Sequence, residues 1–522
     1  MKPSKIFLLF FIPIILIFVC KRVENNRGHF WIDPDPDYCY LLNGLSLASK
    51  NGDIGHIDHP GTPVQIVSGE VIKVIYRFRK TSNDIITDVL LNPEQYLKNI
   101  AWFFAIFNIS LIFFLGLVVL IFTRSLFYSI LFQGIPFTSK MLLLQGFYNV
   151  TPEPFLLSAN LIFIGICISL LYDYPHFKYP DNNKYGLIRF IKKNYWPMLF
   201  GFVIAFSVAS KLYSAPLFII PFFLLDSRLN RIKYILFTFL FFVVFTFPII
   251  EKYNTLLSWI IRLVSHKGYY GHGEAGLVDW PSFFQAIKKI YSNHQFIAGI
   301  FILSITALII RLVKRDKGLK VKMMMAFIIF QIFEISLIAK EYYPHYVVPV
   351  LPSFTFTFFL SIFMFDFNFN YKKILISLFI ISNLFIVSSQ LKYLFKKNNV
   401  KQNVQNQSDS NLKECIEIYS YGCSSPVYAL DLGNYYSKRI FCTQLSEIYS
   451  DKYFYDIWNR RFYDWKGDTV FLDSLYMHNH NLILKGRKNI LKEYQQDFFS
   501  MKFINKDIND NFLISPKKVS VR

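Results

Sequence analysis

Three carboxylates stand close together near the start of the chain. In the stretch from Trp31 to Pro63, Asp33, Asp35 and Asp37 are each separated by one proline. A carboxylate can accept the proton of an attacking hydroxyl group, so this spacing suits general-base chemistry. Proline fixes its own φ and disfavours helix in the residue before it, which predicts a stiff, extended turn. The same residues also suit a solvated polar loop with structural prolines.

The stretch ends with a second group of ionisable side chains, His56, Asp58 and His59, directly before the turn Pro60 to Pro63. Imidazole and carboxylate are metal-ligand types, so a divalent cation is left open as a cofactor. The two prolines suit a structural turn equally well. The six cysteines show no zinc-binding spacing, and no metal ligand and no cofactor is assigned from the sequence.

Further ionisable residues interrupt or flank apolar spans later in the chain, where each needs a physical reason. They are Glu153, Lys211, Lys340, Glu341 and His345. A cation at such a place would neutralise a lipid-linked phosphate. We expect them to line one outward-facing cavity together with Asp35 and Asp37.

Three of these residues also have a structural interpretation. Glu153 suits a helix N-terminus, where the dipole favours a carboxylate. Lys211 suits an ammonium that extends to the membrane interface. His345, among tyrosines, suits an interfacial aromatic belt.

The composition identifies the class of protein. The chain has 522 residues, of which 53% are hydrophobic and only 17% are charged. Runs of about 20 apolar residues recur, which predicts an α-helical polytopic membrane protein. The net charge of +21 does not indicate nucleic-acid binding, because many basic residues lie in short loops between apolar spans. The bilayer is therefore an expected partner.

The apolar runs predict about eleven transmembrane helices. With the N-terminus inside, the strongly basic short loops fall on one face, and the acidic loop and the C-terminus fall on the other. Gly134 and Pro136 interrupt the third run, which predicts a kinked or broken span. The predicted spans are 6–20, 100–122, 126–144, 153–172, 197–209, 212–225, 235–250, 296–310, 323–339, 346–365 and 374–389.

The same pattern predicts the domain organisation. Residues 1–390 form a membrane domain with an outer first loop over 21–99, and helical spacing in that loop predicts an interfacial helix region. Residues 391–411 form a polar linker. Residues 412–522 form a small extracytoplasmic α/β domain.

Five short motifs, in order, resemble those of the GT-C glycosyltransferases, in particular the branch with the protein O-mannosyltransferases and the lipid A aminoarabinose transferase. The resemblance covers roughly residues 1–390. The motifs are Asp35-Pro36-Asp37-Tyr38-Cys39-Tyr40, His59-Pro60-Gly61-Thr62-Pro63, Thr151-Pro152-Glu153, Ala209-Ser210-Lys211, and His345-Tyr346 with Pro349 and Pro352.

The resemblance implies a GT-C-like helical fold and a membrane glycosyltransferase, either a hexosyl- or a pentosyltransferase. The donor would be a polyprenyl-phosphate-linked sugar and the acceptor a lipid, glycan or protein. The reaction would take place on the outer face of the cytoplasmic membrane, as a single inverting displacement. The implied catalytic base is Asp37 or Asp35, and Asp37 is favoured because Tyr40 follows it at a family-like spacing. The implied donor-phosphate or substrate-binding residues are Lys211, His345, Glu153, His59 and Tyr40.

This sequence departs from the family pattern at two places. A proline separates the two aspartates, which the family often has adjacent, and His345 stands where the family has arginine. Two other functions stay open: a polysaccharide or lipid transporter, and an envelope glycan polymerase. A transporter predicts internal repeats and broken helices near the midplane. The sequence has no evident repeat.

Overall fold

A computed structural model describes most of the chain. The described residues are 3–79, 81–82, 84–173, 186–268, 271, 273–365, 367–405, 415–478, 482–493, 500–506 and 509–515.

The chain divides into two compact units. The first contains Met1–Val23, Ile57–Val64 and Ala101–Leu391. The second contains Glu24–His56, Gln65–Ile100 and Lys392–Arg522. The first loop is therefore grouped mainly with the C-terminal segment.

Helices make up the membrane part of the protein and the first loop. In chain order they are α1 (Pro3–Leu8), α2 (Phe11–Arg27), α3 (Asp37–Ala48), α4 (Thr62–Arg79), α5 (Ile85–Leu91), α6 (Pro93–Thr123), α7 (Leu126–Gln133), α8 (Lys140–Gln145), α9 (Glu153–Asp173), α10 (Gly186–Ser210), α11 (Ile219–Leu224), α12 (Arg228–Phe245), α13 (Tyr253–Ser265), α14 (Trp280–Asn293), α15 (Gln295–Val313), α16 (Leu319–Lys340), α17 (Leu351–Met364) and α18 (Phe369–Gln405).

Seven stretches of helix in the described residues are long and apolar enough to cross a membrane. The number of candidate spans rises to eight if α12 and α13, which are bent by 89° relative to each other, are counted as one broken span. The protein is thus a multi-pass membrane protein. The seven stretches are Pro3–Arg27, Pro93–Thr123, Glu153–Tyr172, Gln295–Val313, Leu319–Lys340, Pro344–Met364 and Asn370–Tyr393.

The predicted count of eleven spans is not confirmed, because three apolar runs form shorter helices. The run 126–144 is broken into α7, a 3-10 turn and α8, as the glycine and proline within it indicated. The run 197–209 lies within α10. The apolar segment of that helix, Asn194–Ser210, is shorter than the candidate membrane spans. The run 212–225 is a 3-10 turn followed by the six-residue α11. Proline inside this last run, at Pro216, removes a helical hydrogen bond and accounts for the 3-10 geometry.

Helix α17 is almost entirely buried and forms part of the core of the first unit. A helix that is apolar on every side belongs in the interior of a bundle. Two of its serines are bonded to neighbouring helices: Gln331 of α16 donates to Ser353 Oγ at 3.1 Å, and Ser361 donates to Ser304 Oγ of α15 at 3.3 Å. Such hydrogen bonds hold membrane helices together.

The C-terminal segment forms a seven-stranded mixed sheet, in the order β4-β3-β2-β1-β5-β7-β6. β1 is parallel to both β2 and β5, and the other pairs are antiparallel. This confirms the predicted small α/β domain. Its elements are β1 (Ile416–Ser420), α19 (Pro426–Tyr436), α20 (Cys442–Ile448), β2 (Tyr453–Asp456), β3 (Arg461–Tyr463), β4 (Thr469–Val470), α21 (Leu472–His478), β5 (Leu482–Gly486), α22 (Lys488–Leu491), β6 (Ser500–Lys506) and β7 (Asp510–Ser515).

The predicted linker is helical over part of its length. α18 continues to Gln405, and the rest of the predicted linker, 406–411, lies outside the described residues.

Within the second unit, helix α3 of the first loop packs against α19 of the C-terminal domain. The side chain of Asn43 joins the two segments. Its amide nitrogen donates to the Tyr436 carbonyl at 3.1 Å, and its oxygen accepts from the Gly55 N–H at 2.8 Å.

Helices α3 and α4 approach each other through two glycines. A Cβ atom on Gly44 would lie 2.9 Å from Ser68 Cβ, and one on Gly69 would lie 2.9 Å from the Gly44 carbonyl oxygen. Both distances are shorter than van der Waals contact, so this crossing depends on the absence of side chains.

Candidate functional site

The acidic stretch lies in the second unit and presents its three carboxylates differently. Asp33 and Asp35 are exposed, whereas Asp37 is only 2% exposed. Asp37 is the first residue of α3, so it is helical rather than part of the extended turn predicted from the prolines. A carboxylate in the first turn of a helix is favoured by the helix dipole.

Asp37 is held by Arg27, the last residue of α2. Arg27 Nη2 lies 2.5 Å from Asp37 Oδ2, and the guanidinium also covers the Phe30 ring, 4.0 Å from its centroid. The pair fixes the orientation of the carboxylate. Sequence reasoning missed Arg27 because it appears there as an ordinary charge at the end of an apolar span.

Glu94, near the start of α6, anchors the backbone between α2 and α3. Its carboxylate accepts hydrogen bonds from the backbone N–H groups of Phe30 at 2.9 Å and Trp31 at 3.0 Å, and from the Tyr38 hydroxyl at 2.9 Å. Hydrogen bonds to an ionised acceptor are about twice as strong as neutral ones. Glu94 was also missed, since it is more than 50 residues from its partners.

Tyr40, predicted to bind substrate, is buried in the same unit. Its ring lies 5.1 Å from that of His56 in an edge-to-face arrangement, and His56 lies 5.1 Å from Tyr436 in the same manner. Tyr40 therefore contributes to the packing of the first loop on the C-terminal domain.

The first unit brings together three residues that the sequence singled out: Glu153, Lys211 and His345. Glu153 is the first residue of α9, and Lys211 follows the end of α10. Lys211 Nζ lies 2.6 Å from Glu153 Oε1, and both side chains are at most 5% exposed. His345 Nε2 lies 3.9 Å from the same oxygen. Lys211 therefore forms a buried ion pair and does not reach an aqueous interface as a snorkelling side chain would.

Aromatic rings surround this ion pair. Lys211 Nζ lies 4.3 Å from the centroid of the Tyr346 ring, a cation–π contact. Tyr346 packs on Tyr213 with ring centroids 4.4 Å apart. The predicted substrate-binding residue His59 lies 6.1 Å from Tyr213 and 5.1 Å from Trp259. We refer to Glu153, Lys211, His345, Tyr213, Tyr346 and His59 as the aromatic–ion cluster.

The two charged residues at the end of α16, Lys340 and Glu341, have different partners. Lys340 Nζ donates to the Leu263 carbonyl oxygen, so it is not directed at Glu153. Glu341 accepts a hydrogen bond from the Tyr213 hydroxyl at 2.7 Å and thereby joins the aromatic–ion cluster. Tyr213 was not predicted, although it stands only two residues after Lys211.

A metal site finds little support in the described residues. Within the described ranges, no group of three or more His, Cys, Asp or Glu side chains is arranged to hold a metal ion, His56, Asp58 and His59 included.

The predicted site residues thus fall into two sets. Asp35, Asp37 and Tyr40 belong to the second unit, and His59, Glu153, Lys211 and His345 belong to the first.

Comparison with solved structures identifies the class of fold. The crystal structure of ArnT from Cupriavidus metallidurans in the apo state matches over 96% of this chain and 97% of its own, with a TM-score of 0.51 and 11% sequence identity. ArnT is the lipid A aminoarabinose transferase, a GT-C glycosyltransferase. This similarity confirms the GT-C-like fold that the five motifs predict.

A second structure, ArnT from Cupriavidus metallidurans bound to undecaprenyl phosphate, matches with a TM-score of 0.46 and 10% identity, over 96% of this chain and 97% of that one. No protein-family model matches the chain, and no curated protein sequence matches it.

Proposed function

We propose that this protein is an integral membrane glycosyltransferase that transfers a sugar from a polyprenyl-phosphate donor to an acceptor outside the cytoplasmic membrane. The observation that carries the proposal is the buried Lys211–Glu153 pair with its histidine and aromatic neighbours, in a GT-C-like fold. A lysine at the end of an apolar helix, covered by tyrosine rings, suits the phosphate of a lipid whose tail lies in the bilayer.

In this mechanism, Lys211 and His345 bind the donor phosphate. Negative charge grows on that phosphate as the glycosidic bond breaks, and a preorganised cation stabilises it. Glu153 holds the ammonium group in position before the donor arrives, and the phosphate then shares or replaces that contact. His59 and the tyrosines contribute surface to the donor site.

Asp37 is the base that activates the acceptor hydroxyl in this proposal. Its burial and its contact with Arg27 support Asp37 over the exposed Asp35, because a catalytic group needs a fixed orientation. The hydroxyl oxygen attacks the anomeric carbon, the bond from that carbon to the phosphate oxygen breaks, and Asp37 takes the proton. A single displacement of this kind inverts the anomeric centre and forms no sugar–enzyme intermediate.

The first test uses cells. We expect a deletion strain to lose one sugar from a lipid, glycan or protein of the envelope, with restoration by the wild-type gene and not by Asp37→Asn, measured by mass spectrometry. Purified protein in nanodiscs should also bind undecaprenyl phosphate. An unchanged envelope together with no lipid binding would contradict the proposal. NMR of donor and product tests inversion.

The bend of 89° between α12 and α13, like the break between α7 and α8, favours a lipid or polysaccharide transporter, since transporters use broken helices. Proteoliposomes separate the two functions. A transferase releases undecaprenyl phosphate from the donor as sugar appears on the acceptor, whereas a transporter moves its substrate across the bilayer with every glycosidic bond intact.

The proposed orientation places the C-terminal domain outside and the basic loop after α15 inside. With native cysteines removed, Ser450→Cys should react with an impermeant thiol reagent in spheroplasts. Lys317→Cys should react only after the membrane is opened. The reverse pattern would invert the topology.

A further inference from the structure

Glu341 has one carboxylate oxygen that the rest of the site leaves unexplained. The residue directly follows α16 and is 5% exposed. Its Oε2 accepts from the Tyr213 hydroxyl, but no side chain or backbone group in the described part of the chain donates to Oε1, which is buried. A buried acceptor without a donor is costly and is rare in native proteins.

The nearby cations are engaged elsewhere. Lys211 is paired with Glu153, and Lys340, the residue beside Glu341, donates to the Leu263 carbonyl. No salt bridge to Glu341 is formed within the described ranges. A carboxylate has about four lone-pair positions, so Oε1 can accept a donor from a bound molecule.

The position of Glu341 relative to Lys211 defines which part of a donor it could meet. Lys211 covers Tyr346, Tyr346 packs on Tyr213, and Tyr213 donates to Glu341, so the cation and the carboxylate stand at the two ends of one series of contacts. A carboxylate repels a phosphate and accepts from a hydroxyl. Aromatic side chains with a few well-placed polar groups are typical of small-molecule sites.

We infer that Glu341 is a sugar-binding residue, whose Oε1 accepts a hydrogen bond from a hydroxyl group of the donor's sugar ring while Lys211 binds its phosphate. This inference rests on the proposed function and deepens it. Tyr213 is a positioning residue that fixes the carboxylate through Oε2.

The test compares two lipids on the full-length protein in nanodiscs. The probes are bare undecaprenyl phosphate and undecaprenyl phosphate that carries glucose, mannose or arabinose, and native mass spectrometry gives Kd for each. The glycosylated lipid that wild type binds most tightly relative to the bare lipid is then used with the variants.

We expect Glu341→Ala to weaken binding of the glycosylated lipid by about 10- to 100-fold, as for loss of a hydrogen bond to a charged group. Binding of the bare lipid should change less than about twofold. Glu341→Gln keeps the shape and an acceptor oxygen and should weaken sugar-lipid binding less than alanine does. If the alanine variant does not fold, the glutamine variant decides. Glu251→Gln, at an exposed carboxylate of the same unit, is the matched control and should change neither affinity.

Three outcomes would overturn the inference. Equal weakening of both lipids assigns Glu341 to the phosphate end or to structure. No change with either lipid assigns its free oxygen to water. Wild-type binding of the bare lipid, with no preference for any glycosylated one, contradicts sugar recognition and leaves the lipid-phosphate site intact. Failure of wild type to bind either lipid would instead contradict the proposed function.

Discussion

The Lys211–Glu153 pair and the Arg27–Asp37 pair join the same two kinds of charge, but water reaches them unequally. In the first pair, the side chains are 5% and 3% exposed. In the second pair, the Arg27 side chain is 22% exposed and the Asp37 side chain is 3% exposed. Removal of one partner from a fully buried pair leaves a charge that water cannot solvate, whereas water can solvate a partly exposed guanidinium when it separates from its carboxylate.

This difference suggests that the two pairs serve different purposes. The buried pair keeps a cation in place inside an apolar region. The pair with the partly exposed arginine orients a carboxylate that can still exchange its partner, as a base must during a reaction. Substitutions that remove one charge at a time test this comparison.

The largest effect is expected at Lys211. Lys211→Met leaves Glu153 as an unpaired buried charge and should lower the free energy of unfolding by about 3–5 kcal/mol. The double variant Lys211→Met with Glu153→Gln should recover most of that stability, because no charge is left unpaired. Thermal unfolding in detergent measures both.

Activity separates structure from function at this pair. If Lys211 binds the donor phosphate, the double variant Lys211→Met with Glu153→Gln should use the donor poorly although its stability is restored. Recovery of activity along with stability would make the pair purely structural. Lys211→Arg should keep part of the activity, since the charge survives with altered geometry.

The next effect concerns the base. Asp37→Asn keeps size and removes the proton acceptor, so sugar transfer should fall by about 10²-fold or more. Asp35→Asn, its exposed neighbour, is the matched control and should stay near wild type. An inactive Asp35→Asn with a fully active Asp37→Asn would reverse the assignment. Two active variants would remove the acidic stretch from the catalytic mechanism.

A smaller effect is expected at Arg27. Arg27→Gln removes the cation from the buried Asp37 carboxylate but keeps a side-chain amide that can donate to it, so the free energy of unfolding should fall by about 1–2 kcal/mol, less than for Lys211→Met. Transfer should decline because Asp37 loses its orientation, with kcat reduced more than KM for the donor. A loss of stability as large as that of Lys211→Met would show that the two pairs do not differ as proposed.

The smallest effect is expected from a change of pH, which should alter the stability of the first loop through Asp88 in α5. Burial would raise the pKa of Asp88, but hydrogen bonds from Thr81, Tyr96 and Arg79 lower it below its usual value. A carboxylate with a lowered folded-state pKa contributes stability that is present above the unfolded value, 3.8, and is lost as the pH falls below it.

We therefore expect the wild-type Tm to fall more between pH 5 and pH 3 than that of Asp88→Asn. This variant should be less stable by only about 1 kcal/mol at neutral pH, because its amide oxygen still accepts hydrogen bonds. Parallel curves for the two proteins would exclude Asp88 as the source of the acid sensitivity.

The apolar spans were predictable because a run of about twenty uncharged, apolar residues forms few structures other than a membrane-spanning helix. Gly134 and Pro136 indicated the break between α7 and α8. The shortness of the sixth apolar run was not predicted, since its length and composition resemble those of a span and only Pro216 signals the 3-10 geometry. Glu153, Lys211 and His345 were identified because charges are conspicuous beside apolar residues.

Their pairing could not be predicted, because the fold brings together residues that are 58 positions apart. Arg27 and Glu94 were not predicted at all, because nothing in the local sequence distinguishes them from other charged residues. Each is an ordinary charge at a helix end, and only the partners supplied by tertiary structure distinguish it.

The paired glycines of α3 and α4 have a consequence for genetics. One added methyl group at Gly44 would meet Ser68, so α3 and α4 must move apart to relieve the clash, and α3 is the helix that begins with Asp37. Gly44→Ala is therefore a candidate conditional allele: cells that carry it should behave as wild type when grown cool and lose the envelope sugar when grown warm, with the reacting residues unaltered.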